Sequence, residues 1–439
     1  MGNRKDNEKL IDLTRPEQEV AILVGQESSR HRRWEVEDSL DELSQLALTA
    51  GYREADRVVS RRATSHPATY VGKGKVSEIA AAASGCGATT VIFDDELSPS
   101  QGRNLQNALN LGVVDRTELI LSIFAARART REARLQIEMA SLSYQLPRLA
   151  GAWGHLNRQK GGAKGTRDAG EKQIELDRRT ARDRIHRLKK EIEEVRKQRQ
   201  VQRARRCRRE IPVIALIGYT NAGKSTLLNS LTGSGVFVED KLFATLDPTI
   251  RAAELPSGRR ILLTDTVGFI RKLPHHLVES FQATLEEAVR ADVLIEVLDA
   301  SHKMVRERKQ AVEEVLEQLQ ARDRTRLIVL NKCDLVKDPF LIPELENTLG
   351  AQAAISARTG EGLDDLLGKV EGILERESVI ARLLLPVDRA DLVSYLHREG
   401  RVLRTDYHNS GVYVEAELSE RVLEPLREFQ LTEKQAEGV

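Results

Sequence analysis

At 439 residues the chain exceeds the roughly 100 to 200 residues of one domain, so several cores are expected, built mostly from Leu, Val, Ile and Ala because only 4% of residues are aromatic. The 68 basic and 67 acidic residues cancel to a net charge of +1, which says nothing about how charge is distributed along the chain. Cys86, Cys207 and Cys333 form no CxxC pair, which argues against a zinc site or a disulfide framework and fits a reducing, cytoplasmic setting.

Residues 1–16 read as a flexible tail. They lack the apolar stretch of a secretory signal, and Asp6 stands where a myristoylation signal needs Ser or Thr. No apolar run approaches the roughly 18 residues of a membrane span, so none is expected. From 17 to 129, short apolar runs (VAILVG, RVVSRR, TTVIFDD, LGVVDR) alternate with helical stretches at Val36–Leu48 and Val76–Ala83 and a helix opened by Ser98-Pro99. This predicts a small N-terminal α/β domain with a mostly parallel sheet. From 130 to 209 the pattern changes to a helical hairpin whose arms flank a Gly-rich loop at 147–170, with Ile174, Leu176, Ile185, Leu188, Ile192 and Val195 as the buried stripe of its second arm. Between Asn157 and Arg209 there are about 20 Lys and Arg against about 8 Asp and Glu, a strongly basic segment in a neutral chain. A further α/β unit spans 210 to 377, with strands at PVIALIG, RRILLTD, DVLIEVLD and TRLIVLNK and helices at Leu277–Arg290 and Val305–Gln320. A small α/β appendage fills 378 to 439. The expected fold class is therefore α/β and multidomain.

The third unit carries the chemistry. Gly218, Tyr219, Thr220, Asn221, Ala222, Gly223, Lys224 and Ser225 fit GxxxxGK[ST] between an apolar strand and a helix, the context of a phosphate-binding loop. Its backbone N–H groups and helix N-terminus suit phosphates, Lys224 is expected to reach the β and γ phosphates as the charge-stabilising catalytic group, and Ser225 to bind Mg²⁺. Asp265, Thr266, Val267 and Gly268 follow the strand ILLT about 40 residues later, where Asp265 can hold the metal through water and the Gly268 N–H can sense the γ-phosphate. Asn331, Lys332, Cys333 and Asp334 give the NKxD pattern: a carboxylate accepts from the ring N–H and amine of guanine, and adenine has no such donor pair. Ser356, Ala357 and Arg358 resemble the last GTPase motif, a backbone contact to the guanine oxygen. The segment Phe243, Ala244, Thr245, Leu246 and Asp247 is the expected first switch, with Thr245 the preferred Mg²⁺ ligand; Thr249 is the fallback, and the plain alternative is that either threonine starts a strand. Phe269 stands where Ras-like enzymes place a water-orienting glutamine, so slow intrinsic hydrolysis is expected, raised by a partner.

GYTNAGKS, FATLDPT and DTVGF, together with TYVGKGKVSEI, DRTELILSIFAARARTREARLQIEMASLSYQLPRL and GEKQIELDRR, resemble the HflX family of ribosome-associated GTPases over nearly the whole chain. The loop departs from the family pattern at Asp168, where glycine is more usual, and at Lys172, where threonine is. The resemblance implies a cytoplasmic GTPase that takes GTP and GDP with Mg²⁺, binds the large ribosomal subunit and its RNA, and dissociates stalled or idle ribosomes; a free monomer is the default expectation. Arg158, Lys160, Lys164 and Arg167 are the candidate RNA contacts, with Trp153 and His155 available for stacking. Two other readings stay open at this stage: a regulatory GTPase switching a protein effector, and a second nucleotide site at the Gly72-Lys73-Gly74 turn, for which a plain tight turn is the simpler account.

Overall fold

The computed structural model describes residues 19–27, 33–61, 64–152, 164–207, 211–233, 242–243, 249–272, 291–322, 324–376, 378–387, 389–408 and 411–431. The chain packs as two compact units, residues 1–127 with 137–186 and residues 128–136 with 187–439.

The first unit alternates strands and helices: β1 (Val20–Glu27), α1 (Arg33–Ala50), β2 (Arg53–Arg61), α2 (Lys73–Cys86), β3 (Thr90–Phe93), α3 (Pro99–Leu109), β4 (Gly112–Asp115) and α4 (Arg116–Arg127). The strands lie in the order β2-β1-β3-β4, all parallel. Apolar runs without alternation suit strands covered by helices, and Ile22, Val24, Val91 and Phe93 are packed with Ile79 of α2 and Leu105 of α3. Ser98 caps α3 through a complete capping box with Gln101, and Pro99 occupies the first turn, where its missing N–H has no cost. At the carboxyl edge of β3 an ion pair is sealed in: Arg116, 2% exposed, donates to Asp94 at 2.7 Å and to Glu42, while the Ser39 hydroxyl donates to the other Asp94 oxygen at 2.7 Å. This cluster fixes α1 and α4 to the sheet.

Two long helices follow, α5 (Arg131–Ala152) and α6 (Lys164–Cys207). Helix runs into the Gly-rich stretch expected at 147–170 from both sides, over residues 147–152 and 164–170, and residues 153–163 lie outside the described residues. Pro147 lies inside α5 rather than ending it; Arg148 bridges that turn, with one guanidinium nitrogen donating to the Tyr144 carbonyl at 3.0 Å and the group stacked 3.4 Å from the Tyr144 ring centre. On the other side, glycines at 165 and 170 each cost about 1 kcal/mol, which a 44-residue helix already nucleated elsewhere absorbs. Lys164 and Arg167 fall in the first turn of α6, whereas Trp153, His155, Arg158 and Lys160 lie outside the described residues. Within the first unit Arg184 of α6 forks onto Glu138 of α5 at 2.7 and 2.9 Å. Of the expected stripe, Leu188 and Ile192 are buried, but Leu176 is exposed.

In the second unit, β5 (Val213–Gly218), α7 (Lys224–Thr232), β6 (Thr249–Glu254), β7 (Arg260–Asp265), β8 (Val293–Asp299), α8 (Val305–Gln318), β9 (Arg326–Asn331), α9 (Leu341–Leu349), β10 (Ala353–Ala354) and α10 (Leu363–Arg376) build a six-stranded sheet ordered β10-β9-β8-β5-β7-β6. Only β6 runs antiparallel, against β7. Thr249 opens β6 opposite Asp265, which matches the plain alternative for that threonine. The helix expected at Leu277–Arg290 lies outside the described residues, as does the tail of residues 1–16. The C-terminal part, β11 (Ser378–Leu385), α11 (Ala390–Glu399), β12 (Arg401–His408), β13 (Gly411–Ser419) and α12 (Glu420–Leu423), is an antiparallel sheet ordered β11-β13-β12 with its own core of Leu383, Leu396, Val414 and Leu418. Among the described residues no helix is long and apolar enough to cross a membrane.

Removing Arg116 leaves two carboxylates buried without their cation. Arg116→Ala is expected to destabilise the first unit by about 3–5 kcal/mol, and adding Glu42→Gln and Asp94→Asn to recover much of that loss. Denaturant unfolding of the full chain, followed by the fluorescence of Trp34 on α1, measures both; an unchanged midpoint in Arg116→Ala would refute the assignment.

Candidate nucleotide site

The candidate residues meet at the carboxyl ends of β5, β7, β8 and β9, the edge of an open α/β sheet where ligands are held. β5 ends at Gly218, whose φ of +142° only glycine adopts readily and whose Cβ would sit 2.3 Å from the Val297 carbonyl oxygen on β8. The loop then turns into α7 through Gly223, where a Cβ would meet the Asn331 side chain at 2.2 Å. Both glycines are thus demanded by close packing of the loop against neighbouring strands. Lys224, 6% exposed, donates to the carbonyls of Gly218 at 3.1 Å and Tyr219 at 2.8 Å, which holds its ammonium under the loop. Burial pushes that ammonium down to about 8; Asp265 opposes the shift and Lys332 adds to it. The next residue, Ser225, donates its hydroxyl to Asp265 at 2.6 Å, so the two expected metal-binding groups are in contact.

Asp265 ends β7, and the following turn is fixed by Thr266, which donates to the Leu216 carbonyl at 2.7 Å. Val267 is buried, and Gly268 is pressed against the phosphate loop: a Cβ there would lie 2.8 Å from Thr220 Cα and 3.0 Å from the Lys224 ammonium nitrogen. Phe269 is 2% exposed and does not face the site as a glutamine would. Its carbonyl accepts from the Thr220 N–H at 2.7 Å and its N–H donates to the Gly218 carbonyl at 3.1 Å. Tyr219 extends the clasp: its hydroxyl accepts from the Arg271 N–H at 2.8 Å, and Arg308 of α8 lies 4.7 Å from its ring centre. The ring of Phe269 anchors, and its backbone clips two loops together.

At the far end of the site, the Asn331 side chain donates to the Ala222 carbonyl at 2.8 Å and accepts from the Ala357 N–H at 2.9 Å. Lys332 takes a left-handed φ of 62° and pairs with Asp299 at 2.8 Å. Asp334 accepts from the Ser356 hydroxyl at 2.8 Å and pairs with Arg358 at 3.2 Å, so the carboxylate is aimed by two groups. Burial pushes the Cys333 thiol up to about 11, leaving it neutral and unreactive at physiological pH. The first switch is described only at Phe243, which is buried; Ala244, Thr245, Leu246 and Asp247 lie outside the described residues.

Sequence reasoning missed Asp299, although its place at the end of a predicted strand, in VLDAS, was a usable signal. It missed Tyr219, Arg271 and Arg308 as a clasp because that arrangement joins three distant segments and leaves no local pattern.

Four family models match consecutive stretches of the chain: GTP-binding GTPase N-terminal at 37–125, GTP-binding GTPase Middle Region at 127–206, 50S ribosome-binding GTPase at 213–332 and HflX C-terminal domain at 344–437. GTPase HflX of Caldanaerobacter subterraneus subsp. tengcongensis is 46% identical over 413 residues, 94% of each chain. GTPase HflX of Lacrimispora saccharolytica is 44% identical over 411 residues, 93% of this chain and 95% of its own. Among solved structures, a GTP-binding protein from Sulfolobus solfataricus in complex with GDP is 27% identical, with 81% of this chain and 98% of that one covered at a TM-score of 0.43. With four family models of this kind and relatives of this closeness over almost its full length, the chain belongs to the HflX family and is a GTPase, hydrolysing GTP to GDP and phosphate.

Proposed function

We propose that this GTPase binds the large ribosomal subunit and dissociates stalled or idle ribosomes, with the state of its nucleotide controlling ribosome affinity. The match of residues 213–332 to a 50S ribosome-binding GTPase carries this reading. The basic helix α6 supports it: Arg179, Arg182, Arg187, Lys189 and Lys190 are exposed along it, a charge pattern suited to RNA phosphates. The protein acts in the cytoplasm, where ribosomes are, and as a monomer.

In this reading Lys224 stabilises the phosphates, Gly268 senses the γ-phosphate and Asp334 selects guanine. Ser225 and Asp265 fit a Mg²⁺ ion: both are hard oxygen donors, they lie 2.6 Å apart, and Asp265 is 1% exposed. Thr245 completes the set. When bound, the ion neutralises charge on the phosphates. Because Phe269 supplies no water-orienting amide, hydrolysis by the free protein is slow, and the ribosome raises it by ordering the switches. GTP binding favours the ribosome-bound state and hydrolysis releases it.

The test is GTP turnover with and without purified large subunits, with Lys224→Ala as control. Stimulation of about tenfold or more that vanishes in the variant supports the reading. Basal turnover indifferent to subunits would favour a GTPase that switches a protein effector instead. Subunit binding in the GTP state should also weaken steeply with added salt, as log K against log salt.

The Lys224 ammonium gives a pH prediction. Phosphates favour its charged form, whereas the free site releases the proton near pH 8. GTP affinity should therefore be nearly flat below pH 8 and fall above it, by up to about tenfold per unit while one proton must be taken up on binding. Nucleotide titration between pH 7 and 9.5 measures this, and a flat profile through pH 9.5 would contradict it.

A further inference from the structure

Among the described residues the hydroxyl of Thr220 has no hydrogen-bond partner, although the residue is 2% exposed. A buried hydroxyl left unbonded costs about 1–3 kcal/mol, so its position calls for a reason. Thr220 is the third residue of the phosphate loop. Its backbone N–H is fixed by the Phe269 carbonyl at 2.7 Å, and its Cα and methyl Cγ2 each lie 2.8 Å from where a Cβ on Gly268 would be. The Lys224 ammonium nitrogen lies 3.0 Å from that same point. Thr220, Gly268 and Lys224 thus converge at one corner of the phosphate loop. Phe269, 2% exposed, brings no side-chain amide to this corner.

We propose that Thr220 is a further catalytic residue, whose hydroxyl donates a hydrogen bond to a γ-phosphoryl oxygen of GTP. This inference rests on the assignment of the phosphate loop as the GTP site. In the reaction the water oxygen forms a bond to the γ-phosphorus, and the bond to the β–γ bridging oxygen breaks with its electron pair going to GDP. One water proton ends on the inorganic phosphate. The hydroxyl of Thr220 keeps its own proton throughout and directs it at an oxygen that carries charge during the transfer. It thereby supplies from the phosphate loop part of the stabilisation that the phenyl ring of Phe269 cannot. GDP has no γ-phosphoryl group, so its binding does not use this contact.

Thr220→Val keeps the shape and removes the hydroxyl, and Thr220→Ser keeps the hydroxyl. In the full chain, assayed alone and with large subunits, Thr220→Val is expected to lower kcat about ten- to hundredfold and to raise the KM for GTP no more than about fivefold, with the Kd for GDP changed by less than about twofold. Its melting temperature should be unchanged or higher, since a buried hydroxyl without a partner is removed. Thr220→Ser should recover most of the rate. Wild-type kcat in Thr220→Val, alongside inactive Lys224→Ala, would overturn this proposal and leave the site assignment standing. Lower melting temperature with weakened GDP binding in both Thr220 variants would overturn it in favour of a purely structural role. Full activity in Lys224→Ala would remove the site assignment and this proposal together.

Discussion

The carboxamide of Asn331 ties the phosphate loop to the turn at Ala357, and the candidate nucleotide site depends on that tie. One end donates to the phosphate loop at Ala222, the other accepts from the turn at Ala357, and its own backbone carbonyl takes the Ala300 N–H at 2.9 Å after β8. The group is 1% exposed, so leaving either end unmade would cost about 1–3 kcal/mol. That penalty holds the phosphate-binding and base-selecting ends at one fixed separation.

This constraint also explains why the loop glycines are fixed. Gly223 must lack a side chain because Asn331 occupies the space, and Gly218 because the Val297 carbonyl does. A Cβ at either position would push the loop off the strand that supports it, and the Lys224 ammonium, held by the Gly218 and Tyr219 carbonyls, would move with it. Asp299 plays the corresponding part at the other end, pairing with Lys332 where the backbone adopts a left-handed turn. The turn at 331–334 and the phosphate loop are therefore held by contacts made between strand ends as well as by contacts within the loop itself.

Those facts set the limit of what the sequence could reveal. Strands such as VIALIG and LIEVLD were legible because both faces of a parallel sheet are covered, which gives unbroken apolar runs, and the phosphate loop because its glycines and lysine are adjacent in sequence. β6 and β12 were not singled out: β6 is an edge strand with exposed Arg251 and Ala252, and β12 carries alternating charge, so neither shows an apolar run. Residues 147–152 and 164–170 read as loop because local composition argues for one, whereas there α5 and α6 continue, sustained by long-range contacts such as Arg184 with Glu138. The clasp that joins Tyr219 to Arg271 and Arg308 escaped for the same reason, since partners that meet across distant segments carry no fixed spacing.

Phe269 shows how a residue that is wrong for one task can be right for another. A glutamine at this place must stay free to meet water, so it cannot be buried. The phenyl ring is buried instead, and full burial of a side chain of that size stabilises by about 1.5–3 kcal/mol. That energy, together with the bonds to Thr220 and Gly218, locks the Gly268 turn to the phosphate loop. What is gained is a fixed position for the Gly268 N–H relative to Lys224, and fixed donors are worth most where charge develops in a transition state. What is lost is a group that can orient water.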